Sequence, residues 1–199
     1  MKKYLFLFFL LTGAVLLHAQ TQRTQVQPRS TTQSTVKTFT LSNGKLGPVQ
    51  VGAKFANIPA AYAGLYDKYT KKTQTMEDMD GEWTVVYYQF TKAGKNVFRI
   101  DIDDNRVITS ITLQAGSASI VKTPDGFYVG YPARTLFTKK RMEWNTYYDG
   151  EVFGISGHYT FKVSSNDLIN TDVPQNANQF KSTAKVSSII YSNYMEDSY

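Results

Sequence analysis

The chain has 199 residues, of which 42% are hydrophobic and none is cysteine, and its formal net charge at pH 7 is +6. These values exclude a disulfide framework, a cysteine zinc site and a lipid-modified cysteine, and the mild charge does not favour nucleic-acid binding. They suit a globular protein with one large domain or two small ones.

Residues 1–19 are predicted to be a secretory signal peptide. Lys2 and Lys3 precede the apolar run from Tyr4 to Leu17, and Ala19 supplies a small residue before the predicted cleavage point. The apolar run is shorter than the roughly 20 residues of a membrane span, which disfavours the alternative of an uncleaved anchor. We therefore expect export to the periplasm or the extracellular space, and we do not expect an integral membrane protein.

Residues 20–36 are predicted to form a disordered tether. This segment is rich in Gln, Thr and Ser and has almost no apolar side chain, so it gains too little from burial to offset the entropy of ordering. The tether would space an envelope site from the folded part; the alternative is an ordinary frayed terminus.

Residues 37–118 are predicted to form a first repeat of one helix and a small sheet. After a strand at 37–41, Phe55, Ile58 and Tyr62 recur at helical spacing, so we expect a helix over 53–63, interrupted at Pro59 and ended by Gly64. Further strands are expected at 65–71, 82–91, 96–102 and 106–113, with turns at 77–81, 93–94 and 103–105.

Residues 119–199 are predicted to repeat the same order of elements. Gly130 follows Gly52 by 78 positions and Val186 follows Val107 by 79. A helix is expected at 132–140, and strands are expected at 141–148, 151–155, 158–163 and 185–192, with a long loop at 166–183. The predicted fold class is therefore α+β, a tandem repeat of a short helix plus a three- to four-stranded antiparallel sheet.

This pattern resembles the tandem-repeat fold of β-lactamase-inhibitor proteins, in which a short helix precedes a small antiparallel sheet in each copy. The phrases Gly64-Leu65-Tyr66-Asp67 and Ser156-Gly157-His158-Tyr159 also resemble secreted proteins of uncharacterised families in Bacteroides-like bacteria. The resemblance covers residues 37–193 and implies a small exported envelope protein. Inhibitors of that type carry disulfides, which this chain lacks, so an inhibitory function is not carried over.

Catalytic motifs are sparse. Without the leader, His158 is the last remaining histidine, and although Ser156 is near it in sequence, no Gly-x-Ser-x-Gly elbow is present. We therefore predict no catalytic residue, and we expect His158 to be an ordinary histidine at a strand turn.

Two acidic clusters are candidate calcium loops. They comprise Glu77, Asp78, Asp80 and Glu82, and then Asp101, Asp103, Asp104 and Asn105. Neither has the ligand spacing of an EF-hand, and both occur where hairpin turns are expected. We therefore predict neither a metal nor a cofactor.

Aromatic residues are the unusual feature, with 14 Tyr, 12 Phe and 2 Trp. Tyr and Trp favour interfaces because they combine a large contact area with a polar group. We predict a binding surface that includes Trp83, Tyr87, Trp144 and Tyr148, continuous across the seam between the repeats and at least partly exposed. The alternative is that these residues fill the two cores.

The sequence thus predicts an exported, non-enzymatic binding module of the cell envelope that engages a protein or a glycan through an aromatic-rich sheet face. One alternative is a secreted hydrolase that uses carboxylates from Asp80, Glu82, Asp149 and Glu151. Another is a structural or assembly factor of the envelope. The sequence does not define the oligomeric state.

Overall fold

The computed structural model describes residues 37–78, 81–146, 151–170 and 172–193, all within one compact unit. Its main element is an eight-stranded antiparallel sheet. In spatial order the strands are β4 (Lys68–Asp78), β5 (Gly81–Lys92), β6 (Lys95–Ile102), β7 (Ile108–Leu113), β12 (Val186–Ser192), β11 (Tyr159–Ser164), β10 (Glu151–Ser156) and β9 (Glu143–Thr146).

In the described part of the chain, four short strands, one α-helix and three 3-10 helices (Ala115–Ser117, Ser165–Asp167 and Ala177–Gln179) lie outside this sheet. β1 (Phe39–Thr40) pairs in parallel with β8 (Val121–Lys122), and β2 (Lys45–Leu46) pairs with β3 (Val49–Gln50). Helix α1 covers Ala133–Lys139.

The large sheet consists of two four-stranded meanders, β4 to β7 and β9 to β12, which join through their last strands. The junction pairs Leu113 of β7 with Ile189 of β12, and Ile111 with Tyr191. All four side chains are buried, so the junction is part of the hydrophobic core. The sheet therefore runs through both predicted halves, and the predicted boundary at 118–119 lies in the connection from β7 to β8.

The predicted fold class, a repeated unit of one helix and a small sheet, is wrong. The described residues are mostly strand, with α1 as their sole α-helix and none in the first meander. The predicted helix at 53–63 is irregular chain because its backbone bonds to β7 and to the turn before it. The Phe55 amide donates to the Arg106 carbonyl at 2.7 Å, and the Ile108 amide donates to the Ala53 carbonyl at 2.9 Å. Asn57 adds a left-handed φ of 63°, which a helix does not contain.

Three apolar side chains of that segment nevertheless face the core. Phe55 is buried, and Ile58 and Tyr62 pack against the core as partly buried residues. The three apolar residues therefore contact the core, although the backbone that connects them forms turns and not a helix.

The other predicted elements agree better with the structure. The helix expected at 132–140 is observed as α1, with Leu136 fully buried. The strands expected around β5, β6, β7, β10, β11 and β12 all occur, within two residues at their ends. β4 is longer than predicted, because the expected strand ended at Lys71 and the observed one continues to Asp78.

One face of the sheet carries the core. Phe90 of β5 stacks on Phe98 of β6 with ring centroids 4.3 Å apart, and Tyr66 packs edge-on against both. In the second meander, Phe161 of β11 meets Phe127 edge-on at 5.8 Å. The segments that cover this face are β1 to β3, the irregular chain up to Tyr66, the connection after β7, α1 and the loop that precedes β12.

Two glycines fix the segments that enter the two meanders. Gly52 and Gly130 have φ values of 85° and 93°, a region that residues with a Cβ rarely adopt. Their amides donate to the carbonyls of Ile108 and Val186, each at 2.8 Å. The same kind of contact therefore ties each entering segment to a central strand.

The predicted signal peptide and tether, residues 1–19 and 20–36, lie outside the described residues. Within the described ranges, no helix has the length and apolar character needed to cross a lipid bilayer.

The buried Tyr66 makes alkaline stability testable. Burial, with smaller contributions from Tyr69 and Tyr62, raises the pKa of Tyr66 from 10.0 to about 12. Because the folded state holds this proton more tightly than the unfolded chain, the associated stability is complete below pH 10 and is lost as the pH rises through 12. Urea unfolding between pH 8 and 11.5 should therefore show a shallower alkaline loss in Tyr66→Phe than in wild type, by roughly 2 kcal/mol.

A hydrogen bond of Tyr66 and a second buried tyrosine, Tyr159, give two further expectations. The variant should also lose about 1 kcal/mol at neutral pH, because the Tyr66 hydroxyl donates to the Pro59 carbonyl at 2.9 Å. Burial likewise raises the pKa of Tyr159 to about 12, so Tyr66→Phe/Tyr159→Phe should flatten the profile further. Identical alkaline slopes in all three proteins would contradict the prediction.

Candidate functional site

The candidate site is a two-stranded arm that projects past the end of β6. β5 pairs with β4 from Gly81 onward, but it pairs with β6 only from Tyr87 to Lys92. Residues 73–78 of β4 and 81–86 of β5 therefore have only each other as sheet partners among the described residues, and we call these two segments the arm. Six residues in strand conformation extend roughly 20 Å.

The arm exists because β6 stops at Ile102 and the chain turns back. The Asp103 carboxylate accepts a hydrogen bond from the Val107 amide at 2.7 Å, and the Arg106 amide donates to the Asp103 carbonyl at 2.9 Å. Arg106 has a φ of 60°, which closes the turn tightly. Among the described residues, β5 consequently has no strand neighbour on this side between Gly81 and Val86.

The arm presents apolar side chains on the face opposite the core. Tyr88 and Phe90 of β5 point into the core, so the alternation of the strand places Trp83, Val85 and Tyr87 on the other side. Met76 of β4 lies directly opposite Trp83. We call Met76, Trp83, Val85 and Tyr87 the arm face.

The exposure of the arm face rises towards its tip. Tyr87 and Val85 are half-buried, whereas Trp83 and Met76 are 45% and 38% exposed. Among the described residues, only Ile169 is another large hydrophobic side chain with comparable exposure, and it lies in the loop before β12. The arm therefore differs from the rest of the described chain in that it carries two exposed large hydrophobic residues, Trp83 and Met76, opposite each other.

A polar cluster lies where the arm face meets the body of the sheet. The Arg99 guanidinium lies over the Tyr87 ring, 5.0 Å from its centroid, and its Nη2 is 3.4 Å from Oδ1 of Asp101. The Ser110 hydroxyl donates to Oδ2 of Asp101 at 2.5 Å. These contacts fix the ring of Tyr87 and keep Asp101 on the outer face of the sheet.

A groove of about 520 Å³ lies between the arm and the turn after β6. Its lining includes Thr84, Val86 and Tyr88 from β5 and Ile102 at the end of β6. Lys71 and Arg106 bring positive charge to it, and Asp103 and Asp104 bring negative charge. The groove therefore combines a short apolar floor with charges of both signs, without a grouping of catalytic type.

The structure separates Trp144 from Trp83 and Tyr87, the other two predicted binding residues that it describes. Trp83 and Tyr87 share the arm face, but Trp144 lies on β9 at the opposite edge of the sheet. Trp144 is 9% exposed and packs against Phe137 and Phe180, with centroids 5.5 and 5.2 Å away. Tyr148 lies outside the described residues. The predicted continuous surface is therefore not formed by Trp83, Tyr87 and Trp144.

Gly154 explains why Trp144 fits where it does. Gly154 pairs with Trp144 across β10 and β9, and a Cβ on Gly154 would approach the Trp144 ring to 3.0 Å. The indole therefore occupies the space that a side chain at position 154 would need. Trp144 is a core residue of the second meander.

The residues considered for catalysis are dispersed. His158 is exposed in the turn between β10 and β11, and its Nδ1 is 3.0 Å from the Ser192 carbonyl oxygen. Glu82 is on the arm, whereas Glu151 in the other meander pairs with Lys162 at 2.5 Å. Asp80 and Asp149 lie outside the described residues. The candidates that can be placed do not face one another across a cleft.

Asp101 and Asp103, from the second acidic cluster, have different partners. Asp101 contacts Arg99 and Ser110, while Asp103 caps the Val107 amide. In the described ranges, no three His, Cys, Asp or Glu side chains are grouped closely enough to hold a metal ion. Of the first acidic cluster, Asp80 and the side chains of Glu77 and Asp78 lie outside the described part of the chain.

Sequence reasoning missed Met76 and Arg99 as members of this region. Met76 was missed because the predicted strand ended at Lys71, whereas the observed β4 continues to Asp78 and pairs Met76 with Trp83. Arg99 could have been found from its place on β6, since Tyr87 pairs with Asp101 and Gln89 pairs with Arg99.

Comparisons with known proteins bear on the fold alone. No protein-family model matches the sequence, and no curated protein sequence is significantly similar to it. Among solved structures, the crystal structure of the uncharacterized protein yfeY from Escherichia coli is similar, with a TM-score of 0.52 and 17% identity. The match covers 77% of this chain and 99% of that one. The resemblances to inhibitor proteins and to Bacteroides-like families remain predictions.

The different environments of the two tryptophans predict different effects of substitution. Trp144→Ala should lower the free energy of unfolding by about 3–5 kcal/mol, because it empties a packed aromatic site. Trp83→Ala should change it by only about 0.5 kcal/mol, because the side chain is largely exposed. Chemical denaturation of both variants measures the difference, and equal losses of stability would contradict the placement of Trp83 on an open face.

Proposed function

We propose that this protein is an exported, non-enzymatic binding protein of the cell envelope that engages a partner protein through the arm face. The predicted leader and tether support an exported location. The observation that carries the binding proposal is the cross-strand pair of Trp83 and Met76. This pair lies on the arm, past the end of β6, and both side chains are about two-fifths exposed. Large apolar side chains grouped on an open surface are typical of interaction sites.

The composition of the arm face favours a protein over a glycan as the partner. Aromatic residues, Met and Arg are enriched in protein interfaces, and Trp, Tyr and Arg are enriched among their hot spots. Here Trp83, Met76, Tyr87 and Arg99 lie on one face, and the contact between Arg99 and Tyr87 pre-orders two of them. Ordering a side chain before binding lowers the entropic cost of association.

The hydrolase alternative has no comparable support. A carboxylate pair must flank the reacting bond from two sides of a cleft. Glu82 and Glu151 lie on β5 and β10, each the second strand from an opposite edge of the sheet, and Glu151 is held by Lys162. The assembly-factor alternative differs from our proposal mainly in what happens after the partner is bound.

Photo-crosslinking tests the proposed function. A photoreactive phenylalanine analogue at position 83, in protein expressed as the full chain, should form a discrete adduct with an envelope protein, whereas the analogue at Ile169 should not. Because Ile169 is 60% exposed, it is a matched control for apolar exposure. Excess unlabelled wild-type protein should compete the adduct away, while Trp83→Ala should compete at least about tenfold less well.

The outcomes separate the alternatives. Equal competition by wild type and Trp83→Ala would contradict the proposal, because it would show that the arm face supplies no binding energy. Retention of the protein on envelope glycans, lost in Trp83→Ala but not in Ile169→Ala, would replace the protein partner by a glycan.

A further inference from the structure

The outer edge of β4 is an open edge of the large sheet. β4 is the first strand in the sheet order, and its other edge is fully paired with β5 from Lys68 to Asp78. No other described segment pairs with it, and every residue from Thr70 to Met76 is exposed. Such an edge presents a row of backbone donors and acceptors that can pair with an added strand.

The charges along β4 determine which charges a strand that pairs with it must carry. Lys71 and Lys72 lie near the root of the arm, and the sequence places Glu77 and Asp78 at the other end of the strand. Lysines on an edge strand generally oppose its pairing with another strand. They favour an acidic one, because opposite charges directly across two strands stabilise the pair. Run antiparallel to itself, β4 sets its basic end against its acidic end.

We propose that a second copy of this chain pairs along β4 to form a two-fold symmetric dimer with one continuous antiparallel sheet. Such an interface is isologous and closes with two copies. With Gln74 on the two-fold axis, Lys71 lies opposite Glu77 of the other copy and Thr73 lies opposite Thr75, so nine positions from Thr70 to Asp78 are paired in each strand.

The charges also select this register. With Gln74 at the centre, Lys72 is diagonal to Asp78 of the other copy, a distance within reach of long side chains. Centring the pair on Thr73 would instead set Lys72 diagonal to its own equivalent, which brings like charges together. Centring it on Thr75 shortens the pairing to seven positions. The Gln74 register therefore combines a pairing of nine positions with four pairs of oppositely charged residues at opposite or diagonal positions.

This dimer is independent of the proposed partner binding. The pairing uses the backbone groups along the free edge of β4, whereas the side chains of the arm face lie on the sheet face opposite the core. Because a two-fold axis perpendicular to a sheet keeps the same face upward in both copies, the two arm faces would lie side by side. The dimer can therefore exist whether or not the arm face binds a partner.

Charge exchange tests the pairing. In sedimentation equilibrium on protein expressed as the full chain, Lys71→Glu/Lys72→Glu and Glu77→Lys/Asp78→Lys should each raise the Kd of the dimer by at least about tenfold, because like charges then face each other. Mixing the two variants should restore dimers, since each supplies the charge that the other lacks. Arg141→Glu/Lys185→Glu makes the same charge change as the first variant, at exposed positions away from the arm, and should leave the Kd unchanged.

Cysteine crosslinking tests the register. Because the natural chain has no cysteine, Gln74→Cys introduces a single thiol that would meet its equivalent at the two-fold axis, within the Cα separation that a disulfide needs. Mild oxidation should therefore give a covalent dimer of Gln74→Cys. Thr70→Cys, exposed on the same strand but remote from the axis, should stay monomeric on denaturing gels.

Three results would overturn the proposal: a wild-type protein that remains monomeric across the concentrations sedimentation can reach, a variant mixture that fails to dimerise, or equal crosslinking at positions 70 and 74. Circular dichroism spectra matching wild type establish that each variant is folded, so that lost dimerisation reports the interface.

Discussion

The early end of β6 is the constraint on which the candidate site depends. The turn from Asp103 to Arg106, capped by the Asp103 carboxylate, reverses the chain while β4 and β5 still continue outward. Without that turn, a longer β6 could pair with residues 81–86 and the arm would be part of the body of the sheet. The arm, its apolar face and the groove beside it therefore all follow from a difference in strand length between neighbours.

The body of the sheet can support the arm because its core does not depend on the arm. The two meanders join through β7 and β12, and the core face is covered by loops, short strands and α1. On the outer face, Gln89 donates to the Phe98 carbonyl and to Gln114, and Arg99, Asp101 and Ser110 contact one another. These contacts connect the polar side chains of the outer face next to the arm, although Nε of Arg99 and Oδ1 of Asp101 have no hydrogen-bond partner among the described residues.

The sequence predicted the parts of the fold whose pattern reflects burial. β5 to β7 and β10 to β12 were recognised because apolar residues alternate with polar ones or form short apolar runs between turns. The conformation of 53–63 was not predictable in this way, because Phe55, Ile58 and Tyr62 face the core at intervals that suit a helix equally well. The outer half of β4 was missed for the opposite reason: Lys72, Thr73 and Gln74 are all exposed, so burial leaves no pattern there.

The candidate site was only half predictable for the same reason. Trp83 and Tyr87 were chosen as strand aromatics, and they share a face. Trp144 has the same sequence character but is a core residue, since the glycine opposite it makes room for the indole. Local sequence identifies an aromatic strand residue, whereas the distinction between core and surface depends on which segment covers that face. Such coverage is a long-range property of the fold.

Fluorescence measures the exposure of Trp83 in the isolated protein, because the chain has two tryptophans that substitution can separate. Trp144→Phe leaves Trp83 as the sole indole, and Trp83→Phe leaves Trp144. Acrylamide should quench Trp83 strongly, with a red-shifted emission maximum, and should quench Trp144 weakly, with a blue-shifted one. A blue-shifted emission from Trp83 with weak quenching would contradict the proposed binding site, because it would show that the arm face is already covered.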